Sequence, residues 1–67
     1  KKHQKLSDRE FQVFCMIASG KSTAEIAESL SVTVQTVYSY RNRAREKLSL
    51  QSDVDFTRYA IQNNLID

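Results

Sequence analysis

The sequence predicts an all-α fold, a compact domain of four helices, and three observations lead there. Proline is absent and glycine occurs only at Gly20, so few backbone breakers interrupt the chain. No stretch alternates apolar and polar residues with the two-residue period of a half-buried strand. Ser7, Ser22, Thr33 and Ser52 each stand just before a segment with helical apolar spacing, where a helix start needs a hydroxyl acceptor.

Residues 1–5 read as a basic arm or the end of a linker, with Lys1, Lys2, Lys5 and a frayed His3. The domain proper is expected over residues 6–67. The first helix is predicted over about residues 8–19 and opens with Ser7-Asp8-Arg9-Glu10. This is a capping box: the Ser7 hydroxyl accepts from the Glu10 amide, and the Glu10 carboxylate accepts from the Ser7 amide. At about 100° per residue Glu10, Val13, Phe14, Ile17 and Ala18 share one arc, extended by Phe11 and Cys15, while Arg9, Gln12 and Met16 lie opposite. Gly20 suits the left-handed position that ends a helix.

A second box, Ser22-Thr23-Ala24-Glu25, opens a helix over about residues 23–30 bearing Ile26, Ala27 and Leu30. Leu30-Ser31-Val32 leaves room only for a tight turn, and Thr33 caps a third helix over about residues 34–48. Ser49-Leu50-Gln51 breaks the chain. Ser52, with Asp53 and Asp55 in the first turn, opens a fourth helix over about residues 52–63 that bears Val54, Phe56, Tyr59, Ala60 and Ile61. Asn63-Asn64 ends it, and Leu65 and Ile66 are expected to fold back on the bundle.

Composition excludes several functions. A chain of 67 residues builds one small domain with too thin a core for a large internal substrate cavity. No apolar run approaches membrane-spanning length and no signal-peptide pattern is present, so a soluble, cytoplasmic protein is expected, with no membrane partner. Lys1 is not an initiator methionine, and the sequence is read as part of a longer protein. One cysteine, Cys15, and one histidine, His3, supply neither an internal disulfide nor a zinc site, and no metal or cofactor is expected. Nor is an enzyme. No serine or threonine has a histidine placed to activate it, and Glu10, Glu25, Asp53 and Asp55 stand in first helical turns where capping and the helix dipole account for them.

Charge is uneven although the net is +2: residues 1–5 contribute +3, residues 6–32 −2, residues 33–48 +3 and residues 49–67 −2. A basic stripe on one helix suits a polyanion, although a solvated helix face would look the same by charge alone. The second and third helices add a sharper signal. Ala27 is the small residue a helix-turn-helix needs where its helices cross, and Ile26, Leu30, Val32, Val37 and Tyr40 are the apolar set that locks them. With Val37 inward, Ala44 and Leu48 fall within about 20° of it. Gln35, Tyr38, Ser39 and Asn42 then point outward from the first two turns, the part of a recognition helix that reaches base edges. Asn42 can pair bidentately with adenine. Thr36, Arg43 and Lys47 line one flank and Arg41 and Arg45 the other, where the phosphate strands pass. For Arg41, near the core edge, pairing with the acids of the fourth helix is as good a reading as phosphate contact.

These residues resemble the LuxR/GerE-type DNA-binding domain found at the C-terminus of NarL/FixJ response regulators. The resemblance is carried by Leu6-Ser7-Asp8-Arg9-Glu10, Gly20-Lys21-Ser22 running into Glu25-Ile26-Ala27, Thr36-Val37, Lys47-Leu48, and Tyr59-Ala60-Ile61 before Leu65-Ile66. It implies sequence-specific binding of double-stranded DNA by the output domain of a transcriptional regulator, the third helix lying in the major groove. It implies base contacts from Tyr38, Ser39 and Asn42, and phosphate contacts from Lys21, Ser22, Thr23, Thr36, Arg43 and Lys47. It further implies a fourth-helix contact in a homodimer on DNA, an N-terminal receiver or sensor domain, and RNA polymerase as a further candidate partner. Val54 and Phe56 are the candidate dimer contacts, since the apolar residues of that helix point two ways; free in solution the domain is expected to be mostly monomeric. Three positions depart from the family pattern: Tyr40 where histidine is common, Ala44 where a larger aliphatic is usual, and Ser49 where glycine often ends the helix. The other reading is a small helical module whose basic face docks an acidic protein, with Tyr38 and Tyr40 as anchors.

Overall fold

Every helix begins at a side-chain cap and ends at a left-handed residue, and this sets where the chain turns. The computed structural model describes residues 1–66. It contains α1 (Asp8–Ala18), α2 (Thr23–Leu30), α3 (Val34–Leu48) and α4 (Asp53–Gln62), preceded by one 3-10 turn at Lys2–Lys5, with no strand among the described residues. Ser7, Ser22 and Ser52 each close a capping box with Glu10, Glu25 and Asp55, and Thr33 accepts from the Thr36 amide. The expected first helix is one residue shorter, because Ser19 already stands at its C-cap.

All four helices stop in the same way. Gly20, Ser31, Ser49 and Asn64 have φ of 95°, 58°, 56° and 58°. The next amide in each case returns to a carbonyl five residues back: Lys21 to Met16, Val32 to Ala27, Leu50 to Arg45 and Leu65 to Ala60. These bonds satisfy carbonyls that a helix end would otherwise leave open. Val32, Leu50 and Leu65 then pack their side chains against the core. Only Gly20 is free of the steric penalty of this conformation.

The core is built from Val13, Phe14, Ile17 and Ala18 of α1, Ile26 and Ala27 of α2, Val37, Ala44 and Leu48 of α3, and Phe56 and Ala60 of α4. Leu30, Val32 and Tyr40 pack on it, so Ala27 and the five residues expected to lock the helix-turn-helix are all in or against the core. Phe14 and Phe56 face each other with ring centroids 5.0 Å apart.

Three expectations are corrected. Phe56 is fully buried while Val54 is 66% and Ile61 52% exposed, so Phe56 is removed from any dimer contact. Its ring is taken up by the aromatic cluster with Phe14, which leaves the Val54 face of α4 outward. His3 is docked instead of frayed: its amide donates to Tyr59 Oη at 3.2 Å, its Nδ1 lies 3.0 Å from the same oxygen, and its ring lies against Phe11 and Tyr59. Met16, placed on the outer side of α1, is half-buried against the core, since its flexible side chain can fold over the helix surface.

Val37 is fully buried where α3 packs on the rest of the core. Val37→Ala should destabilise the fold by ~1–3 kcal/mol, read as a lowered midpoint in thermal or urea unfolding. An unaltered midpoint would overturn the face assignment of α3.

Candidate nucleic-acid interface

With Val37, Ala44 and Leu48 buried, α3 presents Gln35, Tyr38, Ser39 and Asn42 to solvent. Tyr38 is 47% exposed, a large aromatic held outside the core. Ser39 Oγ donates to the Gln35 carbonyl at 3.2 Å, which leaves its lone pairs free to accept. Val34, in the first turn, is also exposed, an apolar neighbour to the polar face that was not among the expected site residues.

The start of α2 comes beside this face. A cleft of about 380 Å³ is lined by Lys21, Ser22, Thr23, Tyr38, Arg41 and Asp53 over Ile17. Three residues expected on phosphate therefore share a surface with one expected on bases. Ser22 Oγ accepts from the Glu25 amide at 3.1 Å, so its hydroxyl proton remains available as a donor. The reciprocal bond from the Ser22 amide is the main cause that holds the Glu25 carboxyl below its ordinary pKa. On the other flank Thr36 Oγ1 lies 3.0 Å from Thr33 Oγ1. Arg43 is exposed, with its guanidinium 5.7 Å from the centre of the Tyr40 ring, a cation–π contact that restrains the side chain. The three-residue spacing of Tyr40 and Arg43 was the available signal for that contact.

Two of the basic residues are already paired. Arg41 donates from Nε to Asp53 Oδ1 at 2.9 Å, and its Nη2 lies 2.7 Å from the same oxygen in an ion pair. Lys47, expected on phosphate, donates to Glu10 Oε1 at 2.7 Å and to the Lys5 carbonyl at 3.3 Å. Burial by itself would raise the pKa of Glu10, which is 4% exposed. The hydrogen bonds from Lys47 and Ser7, with the Lys47 charge, outweigh burial and hold it below the ordinary value of 4.5. Lys47 is therefore first a partner for a buried carboxylate. Cys15 is half-buried and burial pushes its thiol pKa up, away from nucleophilic chemistry. Among the described residues no group of His, Cys, Asp or Glu side chains is arranged to hold a metal ion, and no helix is long and apolar enough to cross a membrane.

A second surface lies on α4, where Val54, Thr57, Arg58, Ile61 and Gln62 line a shallow, largely apolar groove.

A family model described as bacterial regulatory proteins, luxR family, matches residues 4–60. The response regulator UvrY of Escherichia coli K12 is 43% identical over 60 residues, which cover 90% of this chain and 28% of UvrY. The oxygen regulatory protein NreC of Staphylococcus carnosus is 39% identical over 62 residues, 92% of this chain and 29% of NreC. The transcriptional regulatory protein LiaR of Bacillus subtilis is 34% identical over 65 residues, 97% of this chain and 31% of LiaR. The chain thus spans less than a third of the length of these curated relatives.

Glu10 generates a pH prediction. Its folded pKa lies below the unfolded one, so its stabilising contribution is complete above the ordinary glutamate range and is lost as pH falls through the lowered folded value. Glu10→Gln should cost roughly 1–3 kcal/mol near neutral pH, because Lys47 loses a charged acceptor. The melting-temperature gap between wild type and Glu10→Gln should then narrow on acidification from about pH 7 to about pH 3. A gap of constant size would show that the charge on Glu10 makes no contribution.

Proposed function

The chain belongs to the luxR family of bacterial regulatory proteins, a family of regulators and not of enzymes, and from that premise we propose that it binds double-stranded DNA in a sequence-specific way, with α3 in the major groove. The observation that carries this reading is the exposed polar face of α3 beside Lys21, Ser22 and Thr23 at the start of α2. Gln35, Tyr38, Ser39 and Asn42 would meet base edges, Asn42 being best suited to pair with adenine. Lys21, Ser22, Thr23, Thr36 and Arg43 would meet phosphates, and Lys47 would do so only with the donors it does not spend on Glu10.

The chain matches under a third of its relatives' length, and we propose that in its protein it works with a receiver or sensor domain, in the cytoplasm, with RNA polymerase as a further partner. On DNA, two copies would meet through the exposed Val54 and Ile61 face of α4. Val54 and Ile61 lie within about 20° of each other on the helix wheel, which makes them one stripe. A single helix face buries too little area for a stable free dimer, so DNA must bring the copies together.

Selection of bound sequences from a random duplex pool identifies the preferred site. Asn42→Ala should then cost ~1–3 kcal/mol at that site and little on unrelated duplex, measured by fluorescence anisotropy. Arg43→Ala should weaken both duplexes alike and flatten the dependence on log salt by about one unit. Wild-type binding with no salt dependence would return the protein-docking reading.

Ile61→Asp should abolish cooperativity on a duplex with two half-sites and leave binding to one half-site unaltered, read by gel-shift titration beside sedimentation of the free protein. Unaltered cooperativity would take α4 out of the interface.

A further inference from the structure

We propose that Asp53, the first residue of α4, is a positioning residue for DNA contact: it holds Arg41 so that the free N–H edge of the guanidinium meets a backbone phosphate beside Lys21 and Tyr38. The inference rests on the DNA-binding reading above and adds α4 to the elements that shape the DNA surface.

The geometry is specific. Arg41 Nε donates to Asp53 Oδ1, and Nη2 lies 2.7 Å from the same carboxylate oxygen. A guanidinium has five N–H donors in one plane, so this grip leaves both Nη1 hydrogens and one on Nη2 unused. The Arg41 side chain is 24% exposed and that of Asp53 58%, so the arginine is the more enclosed partner. The cleft it borders also holds the Lys21 ammonium and the hydroxyls of Ser22, Thr23 and Tyr38. Two cations against one carboxylate, with hydroxyl donors around them, suit a singly charged phosphodiester whose oxygens only accept. A free arginine must give up rotamer freedom to make that contact, whereas a held one has lost it on folding. Lysine, with a compact ammonium, could not grip Asp53 and phosphate with separate edges.

The rival account is that Asp53 merely neutralises Arg41, and the two accounts differ in sign. If Asp53 only neutralises, removing its negative charge strengthens attraction to DNA. If it positions, removing it weakens binding in spite of the charge gained. The test is an anisotropy titration over a salt series with wild type, Arg41→Ala, Asp53→Ala, Asp53→Asn and the Arg41→Ala/Asp53→Ala double variant, each shown by circular dichroism to be folded at the assay temperature. Arg41→Ala should weaken binding on the order of fivefold on any duplex and flatten the salt slope by about one unit. Asp53→Ala should weaken binding roughly threefold, and add nothing once Arg41 is alanine. Asp53→Asn keeps an amide oxygen that accepts from Arg41 Nε and should bind at least as well as wild type. Where Asp53→Ala melts near the assay temperature, Asp53→Ser replaces it, being favourable at a helix start but too short to reach the guanidinium. Tighter or unchanged binding by Asp53→Ala, or an equal loss with Arg41 already removed, would overturn the assignment. A wild type that does not bind DNA at all would bring down the underlying reading and this inference together, whereas the variant results with a binding wild type bear on Asp53 alone.

Discussion

The Glu10 carboxylate is the point on which the orientation of α3 depends, because it is the one charged side chain buried among the described residues. Its Oε1 closes the α1 capping box and also accepts from Lys47, in the last turn of α3. Lys47 reaches in addition to the Lys5 carbonyl. The start of α1, the N-terminal 3-10 turn and the far end of α3 are therefore tied at one oxygen and one ammonium. A buried charge left without its partner costs several kcal/mol, so this knot resists sliding of α3 along α1. Pairing Lys47 also subtracts from the charge that α3 would offer to a polyanion, so a structural demand reshapes the charge of that face.

Helices of 8 to 15 residues are marginal alone in water, and their ends account for much of the order. Four hydroxyl caps and three capping boxes fix the starts. The stops are less economical, since Ser31, Ser49 and Asn64 adopt a conformation that glycine reaches without penalty. The return hydrogen bonds and the packing of Val32, Leu50 and Leu65 offset that cost. Ser31 shows the functional side of the arrangement: the left-handed turn there lets Val32 reach the core and sets the angle at which α3 leaves α2.

What could be read from the sequence was what neighbouring residues decide. Ser7 with Glu10 and Ser22 with Glu25 announce helix starts because both partners lie within one turn. The faces of α3 follow from a single apolar stripe, Val37, Ala44 and Leu48, opposite residues that are polar throughout. α4 offers no such contrast. Val54 and Ile61 on one side and Phe56 on the other are all apolar, and only the approach of Phe14 decides which side is inside. His3 and Tyr59 are 56 positions apart and Glu10 and Lys47 are 37 apart. No periodicity reports such pairs, so the docked arm and the commitment of Lys47 belong to tertiary structure alone. Arg41 falls between these cases: its place at the core edge and the acids at the start of α4 suggested a partner, but not how much of the guanidinium the partner would leave free.

The count of charges along α3 overstates the field that DNA would meet. Of its four cations, Arg41 and Lys47 are paired with Asp53 and Glu10, while Arg43 and Arg45 form no ion pair among the described residues. The same pairs tether the helix: the turn at Ser31 fixes its start, Asp53 its middle and Glu10 its end. Rigidity is thus gained at the expense of free charge. A helix held this way keeps the exposed Gln35, Ser39 and Asn42 in place but offers a polyanion little free charge, since sequence-independent affinity grows with the number of phosphates neutralised. On the proposed reading, joining two copies on one duplex would raise affinity without new charge, because the second contact becomes intramolecular. The Val54 and Ile61 stripe on α4, the helix that also supplies Asp53, is exposed, so the proposed joining there would leave the core undisturbed.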